Sequence, residues 1–162
     1  MKEKKNKKKA DLKAVAGAFK GQHVQFLEEG GFIGSALPYI YSPDDAANNV
    51  KKTLRFIEKK IIHIDEEEEK LFRILLAGDN LKAKQVIREL QHEHIRILSI
   101  YDEIKDIVLN NGFYLKDKKA KDRFAGLVEE MVEFFLNHAR KEDERLFPLF
   151  VGRNIKINID FQ

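Results

Sequence analysis

The chain has 162 residues, of which 43% are hydrophobic, and it contains twelve phenylalanines. This length corresponds to a single domain with a sizeable core, and no apolar run reaches the roughly 18 residues needed to span a bilayer. The sequence has no cysteine, which excludes disulfides, thiolate metal sites and a cysteine nucleophile. Its absence also agrees with the reducing cytoplasm, where we expect the protein to act.

The net charge of +3 comes from the N-terminal segment. Residues 1–9 carry six lysines and one glutamate, so the rest of the chain is slightly acidic. Such a charge run is typical of a solvated end, and we expect residues 1–10 to form a basic disordered tail. No aromatic residue interleaves with the lysines and no apolar segment follows them, so we expect neither a nucleic-acid partner nor a secretory signal.

The first predicted helix covers residues 11–29 and places its apolar positions on one face. Gly30 and Gly31 form a pair of helix breakers. We therefore expect this helix to end at Gly30, and residues 31–41 to form a packed connection.

Three longer helices are predicted after this connection. Ser42 suits the N-cap of the second helix and Pro43 its first position, and the helix should continue to about Ala77. The third helix fits residues 80–110 and the fourth residues 117–146, with turn residues between them. Short connections favour antiparallel neighbours, so the sequence predicts an all-α, up-down-up-down four-helix bundle over residues 11–152, followed by a C-terminal tail at 153–162 with an extended segment.

Each predicted helix carries one histidine in line with its apolar residues. At about 100° per residue, the inward histidines are His23, His63, His94 and His138, whereas His92 falls on the reverse face. Two of these helices add a glutamate four residues later, Glu67 and Glu142, and this spacing places the imidazole and the carboxylate on the same face.

Buried carboxylates are rare because an unpaired charge is costly to bury. A metal centre would compensate all of these groups at once, so we favour a ligand cluster over four unrelated core histidines. Imidazole and carboxylate ligands without sulfur suit iron or manganese, with zinc as a further candidate. Four histidines and two glutamates exceed what one tetrahedral zinc needs, and they fit two metal ions bridged by the two carboxylates.

The pattern resembles the haemerythrin-like HHE cation-binding domains. The resemblance rests on His63-x-x-x-Glu67 followed by Leu71-Phe72, on the Glu93-His94 pair with Ile97, and on His138-x-x-x-Glu142 followed by Leu146-Phe147-Pro148. It covers roughly residues 12–150 and implies a haemerythrin-like four-helix bundle around a non-haem centre of two iron ions with carboxylate bridges. The resemblance also implies a histidine ligand on the first helix, for which His23 is the candidate.

The sequence departs from the oxygen-carrying members of that family on the third helix. Leu98 stands where the resemblance implies a second histidine, which leaves more coordination for water, a carboxylate or a diatomic ligand. Glu68 lies near the middle of the apolar arc of the second helix, and two readings of it stay open: an extra ligand, or a carboxylate that reaches solvent or a lysine. We expect Glu66 and Glu69 to be solvated.

Two classes of function follow from these expectations. In the first, the di-iron protein binds oxygen, peroxide or nitric oxide for sensing, scavenging or storage, in a pocket walled by Phe19, Phe134, Phe135 and Tyr101. In the second, metal binding orders an interaction or regulatory module without redox chemistry; its protein partner stays open. A ferritin-like oxidase needs an inward Glu-x-x-His, and the match at Glu89 and His92 faces outward. No hydrolytic triad or phosphate loop is present, so any enzymatic activity would be redox chemistry.

Overall fold

The computed structural model describes residues 10–153 and 155–157. Four long helical rods make up most of this part of the chain and confirm the predicted all-α bundle. The rods are α1 (Leu12–Ala36), α2 (Ala46–His63) with α3 (Glu69–Leu76), α4 (Leu81–Asn111) and α5 (Lys118–Lys141). Single π-helical turns join α2 to α3 at Ile64–Glu68 and extend α5 at Glu142–Leu146, and 3-10 turns follow α1 at Leu37–Tyr41 and the α5 rod at Phe147–Phe150.

Side-chain caps fix where three of the rods begin. Asp11, Asn80 and Asp117 accept hydrogen bonds from backbone N–H groups three residues later, at 2.8, 3.0 and 2.7 Å. Each bond satisfies one of the N–H groups that a helix start leaves without an internal partner. The predicted bounds of the third and fourth helices are confirmed to within a few residues.

The predicted end of the first helix is wrong. Helix α1 continues through Gly30 and Gly31 to Ala36. A Cβ at Gly30 would stand 3.4 Å from Val132 Cγ1 and 3.7 Å from Phe56 Cζ, so the missing side chain allows α1 to pack closely against its neighbours. Gly30 therefore lies against neighbouring helices, whereas Gly31 has open space beside it. The helix continues through both in spite of their low helix propensity.

The start of the second rod also differs from the prediction. Its N-cap is Asp45 rather than Ser42, and Ala46 is its first helical residue. Ser42 and Pro43 lie in the preceding turn, where the Ser42 carbonyl accepts hydrogen bonds from the N–H groups of Asp45 and Ala46. The turn thus occupies the residues that the cap pattern assigned to the helix.

The buried apolar side chains form two separate cores. The first core includes Ile57, Ile64, Ile97, Phe124 and Phe135. The second core includes Val15, Phe19, Leu71, Leu90 and Leu146. Along α4 and α5, His94 and His138 come between residues of the two cores, so a polar layer separates them.

The two ends of the described part of the chain meet in a small antiparallel pair. Strand β1 (Ala10–Asp11) pairs with β2 (Lys156–Ile157), which confirms an extended segment near the C-terminus. Of the disordered tail predicted at residues 1–10, Ala10 is instead paired in β1, and residues 1–9, like the tail beyond Ile157, lie outside the described residues. Within the described part of the chain, no helix combines the length and the apolar character that crossing a membrane requires.

Candidate metal centre

The four inward histidines meet in the polar layer between the two cores. All four are buried, and their Nε2 atoms face a common interior space. The Nε2 atoms of His94 and His138 are 3.0 Å apart. His23 and His63 lie beside each other with ring centroids 6.0 Å apart. The structure therefore brings together the histidines predicted from four separate helices.

Glu68 is the central carboxylate of this space. Its Oε2 atom lies 2.8 Å from His94 Nε2 and 2.9 Å from His138 Nε2. Its Oε1 atom lies 2.8 Å from His63 Nε2. One fully buried carboxylate thus contacts imidazoles from three different rods, and it belongs to both groups of side chains that could hold a cation, His23–His63–Glu68 and Glu68–His94–His138.

Glu142 provides a second carboxylate in the same space. Its Oε2 atom lies 3.0 Å from His23 Nε2, and its Oε1 atom lies 3.8 Å from His138 Nε2. Glu142 therefore also reaches one histidine from each pair. The two carboxylates connect the pair His23 and His63 with the pair His94 and His138.

The π-turn after His63 explains why Glu68 faces the same interior space as His63. In a regular α-helix, Glu67 would share the face of His63 and Glu68 would be turned away from it. Here the Glu69 N–H donates to the Ile64 carbonyl five residues back, and this widened turn carries Glu68 round to the face of His63. A second π-turn begins at Glu142, where the Phe147 N–H donates to the Glu142 carbonyl.

Each of the four histidines has a carboxylate at its other ring nitrogen. The Nδ1 contacts are His23 with Asp143 (3.2 Å), His63 with Glu67 (3.1 Å), His94 with Glu69 (2.5 Å) and His138 with Glu93 (3.0 Å). A carboxylate at Nδ1 keeps the proton there and turns the Nε2 lone pair inward, which is the arrangement of metal-binding histidines.

Most of these outer carboxylates were not predicted. Glu69 was expected to be solvated, and this is wrong, because its carboxylate contacts His94 and also accepts from Gln91 at 3.2 Å. Asp143 and Glu93 contact histidines on other rods, so the spacing of residues along the sequence could not have revealed these carboxylate–histidine pairs. Glu67, predicted as a metal ligand, lies at the outer nitrogen of His63, where Gln22 also donates to it.

A buried lysine beside the centre was also missed. Lys60 is 0% exposed and lies one helical turn before His63. Its Nζ atom is 3.5 Å from Glu68 Oε1 and lies over the ring of Phe26 at 4.5 Å. Its position three residues before His63, on the same helix face, was the available signal, but lysine is so rarely buried that the sequence favoured an exposed side chain.

Several of the inner atoms lie close together without forming hydrogen bonds. Among the described residues, His23 Nε2, His63 Nε2, Glu68 Oε1 and both Glu142 carboxylate oxygens are buried and have no hydrogen-bond partner, although His23 and Glu142 approach to 3.0 Å. Buried imidazole nitrogens and carboxylate oxygens this close together could hold a cation.

Without a cation, protons on the histidines offset part of the negative charge of the buried carboxylates. Burial alone would lower the pKa of His138, but the Glu68 charge and the hydrogen bonds to Glu68 and Glu93 raise it to about 10. Burial alone would raise the pKa of Glu68, yet the charges of Lys60, His138 and His63 hold it well below its usual value. The pKa values of the other three inner histidines are raised in the same way, by nearby carboxylates that outweigh burial.

Apolar side chains surround the centre. Phe19 packs against His63 with ring centroids 4.8 Å apart, and Phe72 stacks on His94 at 5.5 Å. Of the predicted wall, Phe19 contacts a histidine and Phe135 lies 5.9 Å from Lys60 Nζ, while Phe134 and Tyr101 pack at the margin of the first core. The wall keeps water away from the inner atoms.

His92 and Leu98 both lie outside the candidate centre. His92 is exposed, which confirms its predicted outward position and removes the Glu-x-x-His arrangement of a ferritin-like site. Leu98 is 41% exposed, unlike the buried histidines of the centre.

Comparison with known proteins agrees with this geometry. A family model described as the hemerythrin HHE cation-binding domain matches residues 14–150. No match was found among curated proteins or among solved structures. Since the matched region covers most of the chain and every histidine of the polar layer, the chain belongs to the hemerythrin HHE cation-binding domain family.

Proposed function

We propose that this protein is a non-haem di-iron protein that binds oxygen, peroxide or nitric oxide for sensing, scavenging or storage. The observation that carries the proposal is the pair of cation-binding groups that share Glu68. One iron would be held by His23 and His63 and the other by His94 and His138, with Glu68 and Glu142 bridging them. Iron at these positions would supply redox chemistry and affinity for small oxygen-derived ligands.

The donor set supports an ion with open coordination positions. Each pair of histidines and the two bridging carboxylates would offer four protein atoms to each ion. Four donors complete a tetrahedral zinc, whereas iron and manganese prefer more ligands and would keep room for an exogenous molecule. The phenylalanine wall limits access of bulk water to that room.

Metal stoichiometry and an optical spectrum test this proposal. The full chain is reconstituted anaerobically with Fe²⁺, desalted and assayed for metal, and the spectrum is recorded with oxygen, azide and nitric oxide. We expect two irons per chain and new charge-transfer absorption with each ligand. His92→Ala removes an exposed histidine and should change neither result. A stoichiometry of zero, or retention of zinc in preference to iron with no spectral response, contradicts the proposal.

A second candidate function is a metal-stabilised interaction or regulatory module without redox chemistry. The observation that favours it is the polar layer between two separate cores, since a cation there would bind the folded chain and stabilise it. Limited proteolysis with and without metal tests this role. Strong protection by a redox-inert ion such as Zn²⁺, together with no spectral response of the iron form to oxygen or nitric oxide, would favour the module over the di-iron protein.

A further inference from the structure

Lys60 is a buried lysine whose ammonium group donates no hydrogen bond within the described part of the chain. Its side chain is 1% exposed, and its Nζ atom has no hydrogen-bond partner among the described residues. Lysine is almost never fully buried without a paired and hydrogen-bonded partner. A side chain held in this state beside a candidate metal centre therefore suggests a ligand that supplies the missing acceptor.

The surroundings of Lys60 direct its charge toward the centre. The rings of Phe26 and Phe135 lie at 4.5 and 5.9 Å from Nζ and offer no acceptor oxygen. The nearest carboxylate oxygen is Glu68 Oε1, at 3.5 Å. That oxygen is also 2.8 Å from His63 Nε2, so Lys60 shares it with the group that would hold a cation.

Occupation of the centre would leave Lys60 free to bind something else. A cation held by His23, His63 and Glu68 would draw the negative charge of Glu68 away from the ammonium group. The three N–H donors of Lys60 would then lie in surroundings shielded from water, where hydrogen bonds from a charged donor are strong. A small anion bound at the centre could accept them.

We propose that Lys60 selects small anions at the metal centre by donating charge-assisted hydrogen bonds to them. The inference rests on the proposed di-iron function and deepens it, because it names the charge of the preferred ligand. Anions such as azide, superoxide or hydroperoxide gain from the ammonium group, whereas neutral nitric oxide gains little. The competing explanation is that Lys60 only offsets the buried charge of Glu68.

Ligand titrations of iron-loaded variants separate these two roles. Lys60→Met keeps the length and the apolar stem of the side chain and removes the charge, and Lys60→Arg keeps the charge. Lys59→Met is the matched control, because Lys59 is the adjacent lysine and its side chain is 64% exposed. Azide affinity is measured on the oxidised iron form by charge-transfer absorbance, and nitric oxide affinity is measured on the reduced form.

We expect Lys60→Met to retain two irons and to weaken azide binding by about ten- to a hundredfold, the usual effect of one hydrogen bond to a charged group. Nitric oxide affinity should change by no more than about twofold, which is well below the effect of losing one hydrogen bond to a charged group. Lys60→Arg should recover part of the azide affinity, and Lys59→Met should match the wild-type protein.

Several outcomes would overturn this role. Unchanged azide affinity in Lys60→Met, with a less stable metal-free protein, would leave Lys60 as a counter-charge for Glu68. Equal losses for azide and nitric oxide would show a general effect on the pocket. Loss of iron from Lys60→Met alone would assign Lys60 to building the centre. Failure of the wild-type chain to take up iron would instead contradict the proposed function itself.

Discussion

Glu68 lies five residues after His63, and its Oε1 atom contacts the Nε2 atom of that imidazole at 2.8 Å. Glu67, the residue one position earlier, contacts the opposite ring nitrogen of the same histidine at 3.1 Å. The two neighbouring glutamates therefore hold His63 from both sides. This division gives them different expected roles, one inside the candidate centre and one supporting it.

Substitution of the two glutamates tests this division. Glu68→Gln removes a charge from both candidate cation groups, so we expect bound iron to fall from two per chain to one or none. Glu67→Gln keeps a hydrogen-bond acceptor at Nδ1, so we expect two irons with an affinity weakened by about ten- to a hundredfold, the usual effect of changing such a partner. Metal analysis and competition with a chelator measure both. A greater loss of iron from Glu67→Gln than from Glu68→Gln would contradict the assignment.

The carboxylate behind His138 offers a second test. Glu93 contacts His138 Nδ1 at 3.0 Å and also pairs with Lys141. We expect Glu93→Gln to weaken iron binding by about ten- to a hundredfold, because the histidine loses the negative charge that makes Nε2 a better donor. Chelator competition measures the change. Glu103→Gln, which removes only an exposed ion pair with Arg123, is the control and should bind iron like the wild-type chain.

The metal-free protein should lose stability as the pH becomes alkaline. The folded pKa of His138 is about 10, above the ordinary value of 6.5, so its contribution is complete below pH 6.5 and is lost as the pH rises through about 10. The folded pKa of Glu68 is lowered, so its contribution is present above pH 4.5 and is lost as the pH falls. We therefore expect the melting temperature of the metal-free chain to be highest between about pH 4.5 and 6.5.

Calorimetry across this pH range, with the metal removed by a chelator, measures the effect. His138→Gln should flatten the alkaline part of the profile, because it removes the group that releases the proton. Iron binding should show the opposite trend, since a metal ligand must be unprotonated and alkaline pH favours the free imidazole. A metal-free protein that is more stable at pH 9 than at pH 6 would contradict the charge arrangement described here.

Replacement by alanine should change the stability of the protein in opposite directions at Gly31 and at Gly112. Gly31 lies inside α1, and nothing lies within 4 Å of the position that its Cβ would occupy. We expect Gly31→Ala to stabilise the protein by about 0.5–1 kcal/mol, through better helix propensity and a more restricted unfolded chain. Gly112 ends α4 with a φ of +70° and a ψ of 176°, a conformation open almost only to glycine, so Gly112→Ala should cost about 1–3 kcal/mol.

Denaturant unfolding of both variants, with and without metal, measures these values. Neither residue touches the polar layer, so iron stoichiometry should stay at two in both. Destabilisation by Gly31→Ala would show that the helical course of α1 through this position is under strain.

Helical periodicity was sufficient to find the four inner histidines, because burial of one face repeats with the turn of the helix. The same reasoning assigned Glu67 as a ligand and left Glu68 open between an extra ligand and a carboxylate that reaches solvent or a lysine, since it assumed a regular α-helix where the chain forms a π-turn. A π-turn adds one residue to a helical turn and so rotates all later side chains about the helix axis. Five residues are too few for the apolar periodicity of the sequence to reveal such an extra residue.

The remaining features depend on contacts between distant parts of the chain. Asp143 meets His23 across 120 residues, and Gly30 lies inside α1 against Val132 and Phe56. Lys60 is buried because the centre and two phenylalanine rings surround it. Lysine is usually exposed and glycine usually interrupts a helix. In this chain both preferences are overridden by contacts that exist only in the folded bundle.

The separation of the apolar side chains into two cores bears on how the molecule melts. A domain of this size usually unfolds in one cooperative step because a single continuous core links its parts. Here the link passes through charged and polar groups, whose mutual repulsion or attraction depends on what occupies the space between them. A bound cation would thus couple the unfolding of the two cores, and its removal should broaden the calorimetric transition.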